Sequence, residues 1–274
     1  MNEKSVGYDS FGNAVVLKFS SDWAEKAKKK FADELLRKNK AIKTVLEKTG
    51  KFKGRLRKMQ TKHLAGEKTK DVVYHENGCV FRFNVDDTYF SSRLSNERAE
   101  IAKQIKKQDN VLVMFAGVAP YPIVIARNSN ANRVYSNEIN RTANKYAELN
   151  IELNKLKDKV ILLPGDIKLV SQKIKKGLAV KGEKVPKEFD VIVMPRPQLK
   201  DSFLEQAFAL SRGGKKGTRV YYYDFYKESE LNDLIEKIKI QAMKAKKKIK
   251  ILNVKKAGEV APYTFRFRVD FRVL

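Results

Sequence analysis

Apolar and polar positions along this 274-residue chain change rhythm near residue 96. Before it, AVVLKF (14–19) is a short apolar run that predicts a strand. DWAEKAKKKFADELLRKN (22–39) places Trp23, Ala27, Phe31 and Leu35 on one stripe and predicts a helix. A basic, irregular piece, KTGKFKGRLRKMQTKHLAGEKTK, follows. Strands are predicted at 71–74 (DVVY) and 79–85 (CVFRFNV), parted by the turn signal Glu76-Asn77-Gly78.

After residue 96 strands and helices alternate. The helical pattern NERAEIAKQIKK leads into VLVMF, then helix 120–128, strand 133–137, helix 141–155, strand 160–163 and a basic segment. Strand 190–194, helix 199–212, strand 218–223, helix 228–247 and strands 249–254 and 264–272 complete the pattern. Alternation of this kind predicts βαβ units and an α/β fold with a mostly parallel sheet. The two closing strands, with no helix between them, predict an antiparallel pair at one edge.

Composition narrows the possible functions. VLVMFAGVAPYPIVIA (111–126) is the longest apolar run, but it contains two prolines and falls short of the ~20 residues a membrane helix needs. The N-terminus has no apolar signal core, and the single cysteine, Cys79, suits a reducing cytoplasm. His63 and His75 do not make a zinc-finger spacing with it, so no metal is expected. The 58 Lys and Arg outnumber the 32 Asp and Glu, a net charge of +26. A field of that sign attracts polyanions, nucleic acid above all. No membrane contact and no protein partner are evident.

Ligands of open α/β sheets sit beyond the carboxyl ends of the strands. AGVAP follows strand VLVMF and opens a helix. Gly117 lets the backbone approach a ligand there, and Ala116 and Ala119 leave room. Glu138 ends the next strand, 21 residues on, where a carboxylate can accept both ribose hydroxyls. Asp166, in LLPGDI, can accept from an adenine amino group. The three-glycine dinucleotide fingerprint is absent, so a phosphate-free adenosyl cofactor, S-adenosylmethionine, suits these residues best.

The segment HLAGEKTKDVVYHENGCVFRFNVDDTYFSSRLSNER, followed by MFAGVAPY, resembles the archaeal and eukaryal tRNA (guanine-37-N1)-methyltransferases. GYDSFGNAVVLKF, VYSNEINRTANKYAELNIELNKL and RVYYYDF are similar too, so the resemblance spans nearly the whole chain. It implies a class I, Rossmann-like methyltransferase domain at 82–274, preceded by a small α+β tRNA-contacting domain at 1–81. The implied reaction moves a methyl group from S-adenosylmethionine to N1 of guanosine 37 in the anticodon loop of tRNA.

Carried over by motif, Glu97 is implied as the general base and Arg57, in KGRLRK, as the group that steadies the guanine oxygen. Tyr89, Arg93 and Arg196 are implied at the substrate. Arg98, Phe115, Ala116, Gly117, Glu138, Ile139, Asp166, Ile167 and Pro195 are implied at the cofactor. Without the resemblance, Glu97 reads as an ordinary first-turn acid of a helix.

The chain also departs from the family pattern. Val113 stands where an acid is usual and Ala119 where glycine is usual. MPRPQ stands in place of Asn-Leu-Pro-Lys, so Pro195 offers neither a side-chain amide nor a backbone N–H. The family's separate N-terminal tRNA-corner domain has no counterpart in these residues, and the net charge is expected to compensate for it. Two alternatives stay open. One is a wyosine-pathway transferase at the same nucleotide, methylating carbon-7 of the tricyclic precursor or serving both bases. The other is a basic RNA-binding protein with a decayed cofactor site.

Overall fold

The structure, a computed structural model, describes residues 6–50, 54, 56, 58–196, 198–214 and 216–274. Arg57 and Pro197 lie outside them. The N-terminal region is a four-stranded sheet of β1 (Gly7–Phe11), β2 (Ala14–Lys18), β3 (Thr44–Lys48) and β4 (Thr61–Gly66), in that order. Its helix α1 (Glu25–Lys38) covers one face. Strand β2 is buried on both faces. Its two-residue period sends Val15 and Leu17 to Ala32 of α1, while Ala14 and Val16 join the core of the larger domain.

The hairpin β5 (Asp71–Glu76) and β6 (Cys79–Asn84) links the two regions. Its Phe83 meets Phe11 of β1 edge-on at 5.6 Å and stacks on Phe90 at 4.6 Å. The boundary expected at 81/82 therefore falls inside β6, and both hairpin strands contribute to the larger core.

The larger domain continues with α2 (Ser95–Gln104), β7 (Asn110–Val113), α3 (Pro120–Asn128), β8 (Arg133–Glu138), α4 (Arg141–Leu153), β9 (Val160–Pro164) and α5 (Ile167–Lys175). Then come β10 (Val191–Met194), α6 (Leu204–Ala209), β11 (Thr218–Lys227), α7 (Leu231–Lys244), β12 (Ile249–Ala261) and β13 (Thr264–Val273). The sheet order is β12-β13-β11-β10-β7-β8-β9. Every described pairing in it is parallel except those of β13, which is inserted antiparallel between β11 and β12.

Buried asparagines on α4 fasten the hairpin to this sheet. The amide of Asn154 accepts from Val80 N–H at 3.0 Å and donates to Val80 C=O at 2.7 Å. Asn150 does the same to Arg82, at 2.7 and 3.1 Å. The two lie one helical turn apart, which matches two residues along a strand, so the free edge of β6 is satisfied without another strand.

Helix 199–212 shrinks to α6 because Phe203 adopts a left-handed backbone at φ 57° and the chain enters the helix only afterwards. The basic segment after strand 160–163 contains α5, whose buried Ile167, Val170 and Ile174 form an apolar stripe between lysines. No helix among the described residues is long and apolar enough to cross a membrane.

Candidate active site

The chain leaves β7 toward β8 and β9 and returns to β10, so the sheet has its switch point between β7 and β10. A cleft with an empty volume of about 910 Å³ lies there, walled by the residues that follow β7, β8, β9 and β10.

Strand β7 ends at Val113, after which Phe115 and Gly117 both take positive φ, 59° and 58°. Gly117 thereby turns its N–H to Glu138 Oε2 at 2.8 Å. Glu138 Oε1 accepts from the backbone N–H of Asn140 at 2.8 Å. With Ile139 as a further backbone donor, the carboxylate still keeps a lone pair for a ligand hydroxyl. Burial pushes the Glu138 carboxyl above its ordinary value, against the pull of the backbone donors Asn140, Gly117 and Ile139. Folding therefore favours its protonated form. The cost of keeping it ionised is fully present above the raised value and is relieved on acidification through it.

Asp166 caps α5, accepting from Lys168 N–H at 3.0 Å, and stands on the same wall. Phe115, Ile139, Ile167 and Phe203 supply apolar surface there. A carboxylate with spare lone pairs, a second acid, flat apolar walls and no phosphate cradle fit an adenosyl group. Ala119, at the head of α3, holds φ 67°, which accounts for the glycine usual there in the family.

Tyr89, Leu94, Tyr223, Phe225 and Arg266 line the same cleft. Pro195 and Arg196 line it as well. The charge of Arg196 is turned inward, however. Its guanidinium is bound by buried Asp224 and donates to the carbonyls of Leu199 and Asp201, so it is not presented to RNA.

Other expected residues lie off this wall. Arg98 is fully buried in a bidentate pair with Glu76, at 2.5 Å for both bonds, and donates to Ser91 C=O at 3.0 Å. That pairing holds it off the cleft wall. Arg93 is exposed and donates to Asp9 at 2.9 Å. Ala116 is buried and donates its N–H to Asn137 C=O at 2.8 Å.

Glu97 stands in the first turn of α2, buried, and among the described residues it is not part of the cleft wall. Its Oε2 accepts from Tyr223 Oη at 2.9 Å and from Arg268 Nη1 at 2.8 Å. Lys255 Nζ lies 2.6 Å from its Oε1. Arg268 also donates to Glu100 and Asp270, and Lys255 to Glu100. Three carboxylates and two cations thus share one network behind the cleft. Glu97, Glu100 and Gln104 project at helical spacing toward β11 and β13, where Gln104 accepts from Tyr221 at 3.0 Å.

This sheet order, with one reversed strand between the last two parallel positions and a cleft at the switch point, is that of a class I methyltransferase. The TRM5/TYW2 methyltransferase domain matches residues 72–252, and the TYW2 N-terminal domain matches residues 1–69. The chain belongs to the TRM5/TYW2 methyltransferase family.

It is 30% identical to the tRNA (guanine(37)-N(1))-methyltransferase Trm5b of Pyrococcus abyssi, over 98% of this chain and 75% of that one. It is 29% identical to the tRNA (guanine(37)-N(1))/4-demethylwyosine(37)-methyltransferase Taw22 of Nanoarchaeum equitans, over 98% of this chain and all of the relative. The solved complex of aTrm5 and tRNALeu superposes with a TM-score of 0.80 at 29% identity, covering 98% of this chain and 72% of that one.

Proposed function

We propose that this chain transfers the methyl group of S-adenosylmethionine to N1 of guanosine 37 in tRNA, next to the anticodon, working in the cytoplasm. One observation carries the reading. A single cleft joins an adenosyl wall, Gly117, Glu138 and Asp166, to a second region where Tyr223 leads to the buried carboxylate of Glu97.

The bound cofactor supplies a sulfonium-activated methyl group. The residues of this chain do the rest. Glu138 and Gly117 would hold the adenosyl end and so position the activated methyl for the purine. N1 of guanine carries a proton and is a poor nucleophile until the proton leaves, and Glu97 is its final acceptor. Negative charge then grows on O6, where the resemblance supplies Arg57. The +26 field draws the tRNA in. Mass analysis of nucleosides from reacted transcripts tests the assignment. N1-methylguanosine should form from transcripts with guanosine 37 and no product from those with adenosine 37. Equal transfer to both would reject it.

The double specificity in the name of the Nanoarchaeum equitans relative, matched over its whole length, favours a second reading in which the tricyclic wyosine precursor is also accepted. Methyl transfer to tRNA carrying that precursor would reveal it.

Changing Glu138 to Gln replaces one acceptor with a donor aimed at a backbone N–H. Calorimetry with S-adenosylhomocysteine should show a loss of about 1.5–3 kcal/mol, roughly ten- to hundred-fold in affinity. In the unaltered protein, the same affinity should fall as the pH drops through the raised Glu138 value, above the ordinary 4.5. Affinity that stays flat until below 4.5 would remove Glu138 from the site.

A further inference from the structure

We infer that Arg266 determines which base is accepted: its guanidinium donates to O6 and N7 of the target purine, the edge beside the one that carries N1. The inference rests on the N1 reading above and deepens it by naming what selects guanine.

Arg266 on β13 pairs with Phe225 on β11, as Arg268 pairs with Tyr223. Strand alternation puts all four on one face of the sheet, the face on which Arg268 and Tyr223 meet Glu97 of α2. Arg266 is thus about 7 Å along the strand from the arginine that holds Glu97. Phe225 lies three residues past Tyr222, the last residue of β11 paired with β10. The Arg266–Phe225 pair therefore stands about 10 Å beyond the tip of β10, at the cleft that both residues line. From β13 to β7 is three strand spacings, about 14 Å. Arg266 accordingly belongs to the end of the cleft away from Gly117, Glu138 and Asp166, where Tyr89, Leu94 and Phe225 supply apolar surface.

Among the described residues, the cations that line the cleft are Arg196 and Arg266. Asp224 binds the first. The half-buried side chain of Arg266 has no hydrogen bond and no acidic partner among the described residues. Its guanidinium carbon lies 5.2 Å from the centre of the Phe225 ring. A contact with a ring face leaves the N–H donors open. A base that enters takes water from those donors, so it must bring acceptors. Guanine does, because O6 and N7 lie side by side and match the guanidinium fork. Adenine has an amino group beside N7 and sets a donor against a donor. The other lone pair of O6 stays open on the N1 side, where the resemblance supplies Arg57. The tricyclic precursor closes its third ring over N1 and N2 and keeps the same edge, so the contact serves either base.

Single-turnover methyl transfer to transcripts with guanosine or 7-deazaguanosine at position 37 tests the contact. Replacing N7 by C–H removes one acceptor and leaves N1 and O6 in place. The unaltered protein should be slower on the 7-deaza transcript by about 10- to 100-fold. Arg266→Ala should be slower on guanosine by a similar factor, with S-adenosylhomocysteine affinity unchanged, and should treat the two transcripts alike. Equal rates of the unaltered protein on the two transcripts would overturn the inference, even if Arg266→Ala fails to fold, and would leave the N1 reading standing. An Arg266→Ala protein that is slowed but still separates the two transcripts would overturn it too, the result if Arg266 meets a phosphate of the RNA instead. If the unaltered protein makes no N1-methylguanosine from the guanosine transcript, the inference falls together with the reading beneath it, a result visible in the product alone.

Discussion

Changing Arg268 to Ala is expected to destabilise the fold by about 3–5 kcal/mol, the usual cost of removing one partner from a buried charge cluster. Arg268 has no exposed side-chain surface and serves Glu97, Glu100 and Asp270 at 2.6–2.8 Å. Removing it strands three carboxylates that retain only the Lys255 ammonium and neutral donors. For a chain of this size the loss corresponds to a fall of roughly 6–20 °C in melting temperature. Urea denaturation would measure it directly. Arg93→Ala is the control. Arg93 pairs with Asp9 at the surface, where such pairs contribute about 0–1 kcal/mol. Similar losses in the two variants would show that the network behind the cleft does not hold the fold.

Glu97→Gln is expected to lower single-turnover methyl transfer by about 10²–10⁴-fold, the range for loss of a general base. Cofactor affinity should not change, because Glu97 lies off the adenosyl wall. Gln still accepts from Tyr223, so the loss isolates proton acceptance from packing. Glu100→Gln is the matched comparison. It shares both cations with Glu97 but makes no bond to Tyr223, so its rate should stay close to that of the unaltered protein. Equal losses at positions 97 and 100 would mean that network charge, not a particular base, sets the rate.

The parallel sheet was legible because strands such as VLV and VIVM are apolar at every position, the signature of burial on both faces. The gathering of Gly117, Glu138 and Asp166 on one cleft wall was legible too, since they fall at successive strand ends. Strands β3 and β4 were not. Thr44–Lys48 is too short to show a period, and Thr61–Gly66 sits among lysines that point to solvent.

The largest gap in the sequence reading concerns β13. In TFRFRVDFRV, polar residues alternate with apolar ones, which ordinarily means one face in water. Here Arg268 and Asp270 are buried opposite Tyr223 and Tyr221 and beneath α2. The partners that neutralise them, Glu97 and Glu100, lie about 170 residues earlier in the chain, and no local pattern announces such a pairing. Arg98 misled for a related reason. The motif around it points to the cleft, but its guanidinium pairs with buried Glu76 of β5 and lies off the cleft wall.

Strand β2 has a mechanical consequence. Four of its five residues, Ala14 to Leu17, are gripped from above by one domain and from below by the other. The joint cannot hinge without exposing valine and leucine to solvent. An RNA laid across the amino-terminal module would therefore meet the cleft at a constant offset, as a jig holds work against a tool. Selection among RNAs becomes a question of reach and angle fixed at folding.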